Sequence, residues 1–246
     1  MKTDYTRKIL EEHRNIWNQK PVLREIYLYY FTRIRNACKE GITVEVGGGS
    51  GNFKEVFPDL LSLDIVRVPW IDIVADAQKL PFKDGSLANI VMVDVIHHFE
   101  APLLFLEEVE RVLQPGGRLI FIEPAITPLS WVMLHLFHPE PIDMRVDPFK
   151  TPTSDPDRRP FEANQAIPTL LFKKYRARFI QEFPLFKIRE TSFLDLFAYP
   201  LTGGFRPWCL LSCKSLRHLF DIEQRILPIL GPLMAFRLYC ILEKNR

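Results

Sequence analysis

The chain has 246 residues, 47% of them apolar and 25% charged, with a formal net charge of +2. That is long enough to bury a substantial core, and the composition excludes a disordered or fibrous protein. So small a net charge argues against a protein whose work is coating nucleic acid, and no nucleic-acid partner is expected.

The segment 5–37 reads as two helices split near Pro21, the second carrying Val22, Leu23, Ile26, Tyr27, Tyr30, Phe31 and Ile34 on one apolar face. The period then changes. Compact apolar runs follow at 42–46 (ITVEV), 60–65 (LLSLDI), 71–76 (IDIVAD), 89–95 (NIVMVDV) and 117–123 (GRLIFIE). Between the last two, APLLFLEEVERVLQ starts near Pro102 and stops at Pro115-Gly116-Gly117, as a helix should. Buried strands alternating with helices predict a parallel sheet with crossovers over about 41–123.

The second half is less regular. Residues 139–160 hold six prolines and predict a long loop, a candidate lid. A helix is expected over most of 161–182, then a strand at 185–193, an amphipathic helix at about 215–230 and a final strand in AFRLYCILEK. The stretch ILPILGPLMAF is too short for a membrane span and is broken by Pro228 and Pro232, and the N-terminus lacks the apolar core of a secretory signal. Cys38, Cys209, Cys213 and Cys240 form no CxxC pair and read as reduced thiols. The expected location is cytoplasmic, with peripheral membrane contact as a minority reading.

Four of the eleven glycines fall within five positions of VEVGGGSGNF (44–53). A glycine turn between a strand and a helix lets a ligand approach bare backbone N–H groups. The triphosphate-binding pattern GxxxxGK[ST] is not satisfied, and the dinucleotide pattern GxGxxG fails at Asn52. What is satisfied is GxGxG, Gly47, Gly49 and Gly51, with Glu45 before it and Asp64 19 residues beyond that acid. A carboxylate at Glu45 would repel a pyrophosphate, and one at Asp64 can hold the two hydroxyls of a ribose. The pattern therefore points to an adenosine-type ligand without phosphates.

These residues, with LSLDI, ADAQKLPFKDGSLANIVMVDVIHHF and FLEEVERVLQPGGRLIFIEP, resemble in order and spacing the motifs of class I S-adenosylmethionine-dependent methyltransferases, within the small-molecule group that includes ubiquinone-type and sterol-type enzymes. The resemblance covers about 41–124. It implies a Rossmann-like, seven-stranded, mostly parallel α/β sheet with helices on both faces, an N-terminal helical extension and insertions in the C-terminal half. The chain would be one methyltransferase domain, with a helical cap (1–40), a cofactor half (41–124) and an acceptor half (125–246) that contains the 139–160 lid. Gly47, Gly48, Gly49 and Gly51 would line the methionine part of S-adenosylmethionine, Glu45 would support its amino end, Asp64 would hold the ribose, and Asp76 with Ala77 would flank the adenine. One departure is Asn89, where the family commonly has an acid.

By the same resemblance, Val93, Asp94, His97 and His98 lie where the fourth strand ends, facing the reacting methyl. His97 or His98 could take a proton from an acceptor, and Glu123, at the end of the fifth strand, is the next candidate. His135, His138 and Glu140 lie close enough in sequence to suggest a metal, but they sit in an apolar helical stretch, so no metal is expected. The basic run KKYRARF (173–179) reads as a solvated helix face, with attraction to a phosphate-bearing acceptor or an anionic membrane as its alternative. The expected function is methyl transfer to a small, hydrophobic or lipid-like acceptor, by a protein that could be a homodimer. A catalytically silent cofactor-binding scaffold and a nicotinamide-dependent oxidoreductase are the competing readings, the latter disfavoured by Glu45 and Asn52.

Overall fold

A strand can bury every side chain only if both faces of its sheet are covered. That condition is met at β1 (Thr43–Val46), buried at all four residues, and at β4 (Leu87–Val93), buried at all but the last. The computed structural model describes residues 2–150 and 162–245. In it β1, β2 (Leu61–Asp64), β3 (Ile73–Val74), β4 and β5 (Leu113–Pro124) run parallel, and β6 (Phe186–Leu194) and β7 (Arg237–Lys244) complete a seven-stranded sheet in the order β3-β2-β1-β4-β5-β7-β6. β7 alone runs against the direction of the other six strands, pairing antiparallel with both β5 and β6. The strand order reverses between β1 and β4, so a crevice opens there at the carboxyl ends of the strands, where such sheets hold ligands.

Alternation assigns the two faces. Ile90, Met92, Leu119 and Phe121 pack with α3 (Pro102–Val112) and the helical turns after 166. On the opposite face, Val91, Ile120, Ile122 and Tyr239 pack against α2 (Pro21–Ala37), and Leu216 joins them from α8 (Cys213–Met234). α1 (Lys2–Gln19) ends just before Pro21, the anticipated break. After β2 comes a chain reversal, so Leu10 of α1 packs on Val66 and Val68 beyond that strand.

The helix expected over most of 161–182 is present, with a late start and an irregular middle. The described helical turns begin at α5 (Ile167–Thr169), pass through a π turn at Leu170–Lys174 and end in α6 (Arg176–Glu182); residue 161 lies outside the described residues. Asn164 explains the late start. Its Oδ1 accepts from Asp143 N (2.9 Å) and Ala166 N (3.1 Å), while its own N–H donates to the His97 carbonyl (2.9 Å). Backbone committed to that turn cannot also be helix. The π turn closes where Tyr175 N–H reaches Leu170 O at 2.8 Å. Of the anticipated loop, 139–150 is irregular as expected and 151–160 lies outside the described residues. α4 (Pro128–Phe137) and α7 (Ala198–Thr202) complete the second half, and α8 runs on to Met234 with Pro228 and Pro232 both exposed inside it.

The basic run is largely engaged within the protein. Arg178 pairs with Asp147 (3.1 Å), Lys174 donates to Met144 O (3.1 Å), and Lys173 lies 4.4 Å from the Phe193 ring centroid. Asn89 has a structural use that an acid could not copy: it donates to Lys39 O (2.8 Å) and Thr43 Oγ1 (2.9 Å) while accepting from Lys39 N (2.8 Å). This ties the chain entering β1 to β4. Asn89→Ala should lower the unfolding free energy by about 2–3 kcal/mol, because buried backbone groups lose their partner. Urea unfolding should show this as a lower midpoint at unchanged slope.

Candidate active site

The glycine turn leaves β1 and folds back over the end of β2. Gly49 N–H donates to Asp64 Oδ2 (2.9 Å), and Val66 N–H donates to Asp64 Oδ1 (2.8 Å). Trp70 Nε1 donates to Gly49 O (2.8 Å), and Arg14 of α1 donates to Ser50 O (3.1 Å) with its guanidinium 4.6 Å from the Trp70 ring centroid. Gly47 has φ +69°, and a Cβ there would lie 2.4 Å from Val95 Cγ2, so the close approach of the β1 and β4 turns requires glycine. Gly48 and Gly51 are likewise crowded, by Ile71 and Trp70, whereas a Cβ on Gly49 would meet nothing nearer than 3.7 Å. The turn is therefore crowded at Gly47, Gly48 and Gly51 and open at Gly49.

Beneath it lies Glu45. The residue is buried, and its Oε2 has no hydrogen-bond partner. Burial, reinforced by the Asp64 charge, pushes its carboxyl well above the ordinary range, and burial also raises Asp64. Two buried acids beside one glycine turn repel a phosphate and welcome a cationic amine and hydroxyl donors. An orphaned buried carboxylate oxygen thus fits a cofactor with an ammonium end and a ribose. Asp76 caps a 3-10 turn by accepting from Gln78 N (2.8 Å), and Ala77 is buried in the core. That turn is the next loop along the same edge of the sheet.

A second group gathers at the ends of β4, β5 and β7. Val93 is half-buried, and Asp94 follows it with a left-handed φ of +60°. The Asp94 carboxylate accepts from Tyr27 OH (3.3 Å) and pairs with the buried Arg237 guanidinium, which stacks 4.0 Å from the Tyr199 ring centroid. Glu123 is fully buried and takes three donors, Val95 N and Ile96 N (2.7 Å each) and His97 Nδ1 (2.6 Å). It fixes both the turn after β4 and the imidazole. His97 Nε2 faces Glu140 Oε2 at 3.6 Å, and Gln165 donates to that same oxygen. Burial opposes the His97 charge, but Glu123, with Glu140 and Asp94, outweighs it and raises the imidazole pKa.

The ring of His98 lies against that of His97, centroids 4.2 Å apart, and ligand atoms of His97, His98 and Glu140 lie within 4.8 Å of one another. Of the three residues weighed together in sequence, Glu140 joins the histidines after β4, while His135 is exposed and bonded to Trp131 O (2.9 Å). Sequence reasoning missed Arg14, Tyr27, Trp70, Tyr199 and Arg237. None belongs to a motif; the available signal was a charged residue opening a final strand whose next five residues, LYCIL, are apolar.

Residues 44–121 match a family model described as a methyltransferase domain. The sheet order and the glycine turn agree with that match and with the class I S-adenosylmethionine-dependent methyltransferase motifs that the segment resembles. Over 68 residues the chain is 39% identical to a probable phthiotriol/phenolphthiotriol dimycocerosates methyltransferase 2 of Mycobacterium ulcerans (strain Agy99), covering 26% of each chain. Over 120 residues it is 27% identical to a probable tRNA methyltransferase 9B of Mus musculus, covering 42% of this chain and 27% of that one. The chain thus spans only about a quarter of the length of each of these two relatives. Among solved structures it is similar in fold to geranyl diphosphate C-methyltransferase from Streptomyces coelicolor A3(2), in complex with Mg2+, geranyl diphosphate and S-adenosyl-L-homocysteine (TM-score 0.52, 11% identity, 91% of this chain and 80% of that chain).

The state of Glu45 makes a testable statement about stability. A carboxyl whose folded pKa is raised binds its proton more tightly in the folded chain, so stability falls as pH rises from the unfolded carboxylate value through the raised one. Glu45→Gln removes that penalty. Without ligand at neutral pH the variant should be more stable than the parent by about 1–3 kcal/mol, and the difference should vanish in acid. Thermal melts across pH check this.

Proposed function

We propose that the protein transfers a methyl group from S-adenosylmethionine to a small, apolar, lipid-like acceptor. The observation that carries the reading is the buried, unpartnered Glu45 Oε2 beneath a glycine turn held by Asp64. When bound, S-adenosylmethionine supplies an electrophilic methyl on a sulfonium. Glu45 would accept the ammonium end, Gly47–Gly51 would present backbone to the methionine chain, and Asp64 would hold the ribose hydroxyls. Asp76 and Ala77 would flank the adenine, and Val93 and Asp94 would border the reacting end.

Alignment and exclusion of water are the main contributions of such a protein to an in-line displacement. Arg237 and Tyr27 hold Asp94 in its unusual backbone conformation. Glu123 acts as a positioning residue: it occupies Nδ1 of His97, leaving Nε2 as the nitrogen that can take a proton from the attacking group of the acceptor. His98 lies against this imidazole as the alternative base. The apolar character of α4 and α8 supports an apolar acceptor, and the four free cysteines suit work in the cytoplasm. Self-association into a homodimer is compatible with the same exposed apolar helices.

Calorimetry with S-adenosylhomocysteine should give one site per chain, weakened about a hundredfold in Asp64→Ala, the loss expected for charge-assisted bonds to two hydroxyls. Binding of NADH instead would overturn the reading. With labelled S-adenosylmethionine, label should enter the lipid fraction of a metabolite extract and disappear with Gly49→Arg; label in RNA alone would move the acceptor to another class.

The pH profile tests His97. A base whose pKa is raised above 6.5 is competent only after it loses its proton, so turnover should climb through a pKa above 6.5. Glu123→Gln removes the charge that raises it most and should move that limb to lower pH. A limb unmoved by this substitution would exclude His97 as the base.

A further inference from the structure

We propose that the face built by α4, the 206–210 segment and the second half of α8 docks on an anionic bilayer surface, beside the site. This rests on the lipid-like acceptor reading and deepens it. Four large side chains on this face stand mostly in solvent: Ile229 (77% exposed), Leu210 (72%), Leu136 (67%) and Phe137 (60%). They belong to one region. Arg206 donates to the Phe137 carbonyl, α4 packs against α8, and Thr127, the N-cap of α4, donates to Ala235 O just past the end of α8 (3.1 Å). A contiguous exposed apolar face of this kind marks an interaction surface.

Its chemistry suits a membrane interface. α4 carries no Asp, Glu, Lys or Arg, and no charged residue lies between Arg225 and Arg237. Exposed basic side chains flank the apolar segments along the chain, Arg206 and Lys214 on either side of 208–210 and Arg225 before the apolar end of α8, and Trp131 and Trp208 stand half-exposed within those segments. Apolar segments flanked by basic groups and carrying indoles have the composition of a helix that lies in the headgroup region. Among the described residues no helix is long and apolar enough to cross a membrane, so the contact is with the surface. A second copy is the weaker occupant, because a symmetric dimer would bring the same basic side chains against their copies. Position supplies the use: α4 starts just beyond β5, whose Glu123 holds His97, and the chain leaving α4 reaches Glu140 beside that imidazole. An acceptor dissolved in the bilayer would have a short path to His97.

The test is co-sedimentation of the full chain with vesicles of phosphatidylglycerol and phosphatidylcholine, and with phosphatidylcholine alone. The proposal expects binding to the anionic vesicles that salt weakens, and a drop of about tenfold or more in Leu136→Glu and in Ile229→Glu, the scale of one lost apolar insertion. Arg206→Glu with Arg225→Glu should weaken binding as well. Unchanged calorimetric affinity for S-adenosylhomocysteine would show that each variant is folded. No binding to anionic vesicles, or binding that these substitutions leave untouched, would overturn the proposal. So would a wild-type dimer in sedimentation velocity that Leu136→Glu dissociates, without vesicle binding. Vesicle binding by a chain that failed to take up S-adenosylhomocysteine would uphold the docking surface while removing the methyl-transfer reading.

Discussion

The hydrogen bond from Gly49 N–H to Asp64 joins the turn after β1 to the end of β2, and the proposed cofactor site depends on it. Parallel pairing puts both ends on the same edge of the sheet, and a short turn without side chains can then be drawn down onto the acid. The bond also sets the electrostatics. It secures a buried carboxylate next to Glu45, and the two together make the base of the turn hostile to phosphate and open to cations. A site that keeps two acids out of water destabilises the ligand-free protein, which is the usual relation between binding function and stability.

Glu123 repeats the device one crossover away. Its three hydrogen bonds freeze the turn after β4 and orient His97, whereas at Glu45 the partner is missing. One acid is satisfied within the protein and builds geometry. The other leaves Oε2 without a partner, which is the arrangement the proposed ammonium end of the cofactor would need. Arg237 with Asp94 is a third, partly buried arrangement, in which β7, returning antiparallel, brings a guanidinium to the rim where β4 ends. These groups meet because the sheet delivers every strand end, and the start of its antiparallel strand, to one rim.

Much of the geometry of the candidate cofactor half was legible in the sequence, for a physical reason. Gly47, Gly49, Gly51 and Glu45 are neighbours in the chain, and Asp64 is one short strand away, so their spacing survives folding. The β-branched runs that flank them encode a doubly covered sheet directly. The other half of the site was not legible, because its contacts are distant: Tyr27 meets Asp94 across 67 positions, and Arg237 does so across 143. Glu140 was noticed, but with His135 and His138, its neighbours in sequence; only the fold brings it to His97. The helix expected over most of 161–182 is there, but its start at Ile167 was not legible, since Asn164 satisfies other backbone groups and delays the first turn. The seven-stranded, mostly parallel sheet was implied by resemblance, and the structure has it.

The measurement that tests the central claim most directly is a crystal structure of the protein with S-adenosylhomocysteine. The account predicts density across Gly47–Gly51, with the amino end at Glu45, the ribose hydroxyls on Asp64 and the adenine beside Asp76 and Ala77. A ligand found elsewhere, such as the recess lined by Arg14, Trp17 and Trp70, with Glu45 still unpartnered, would contradict it.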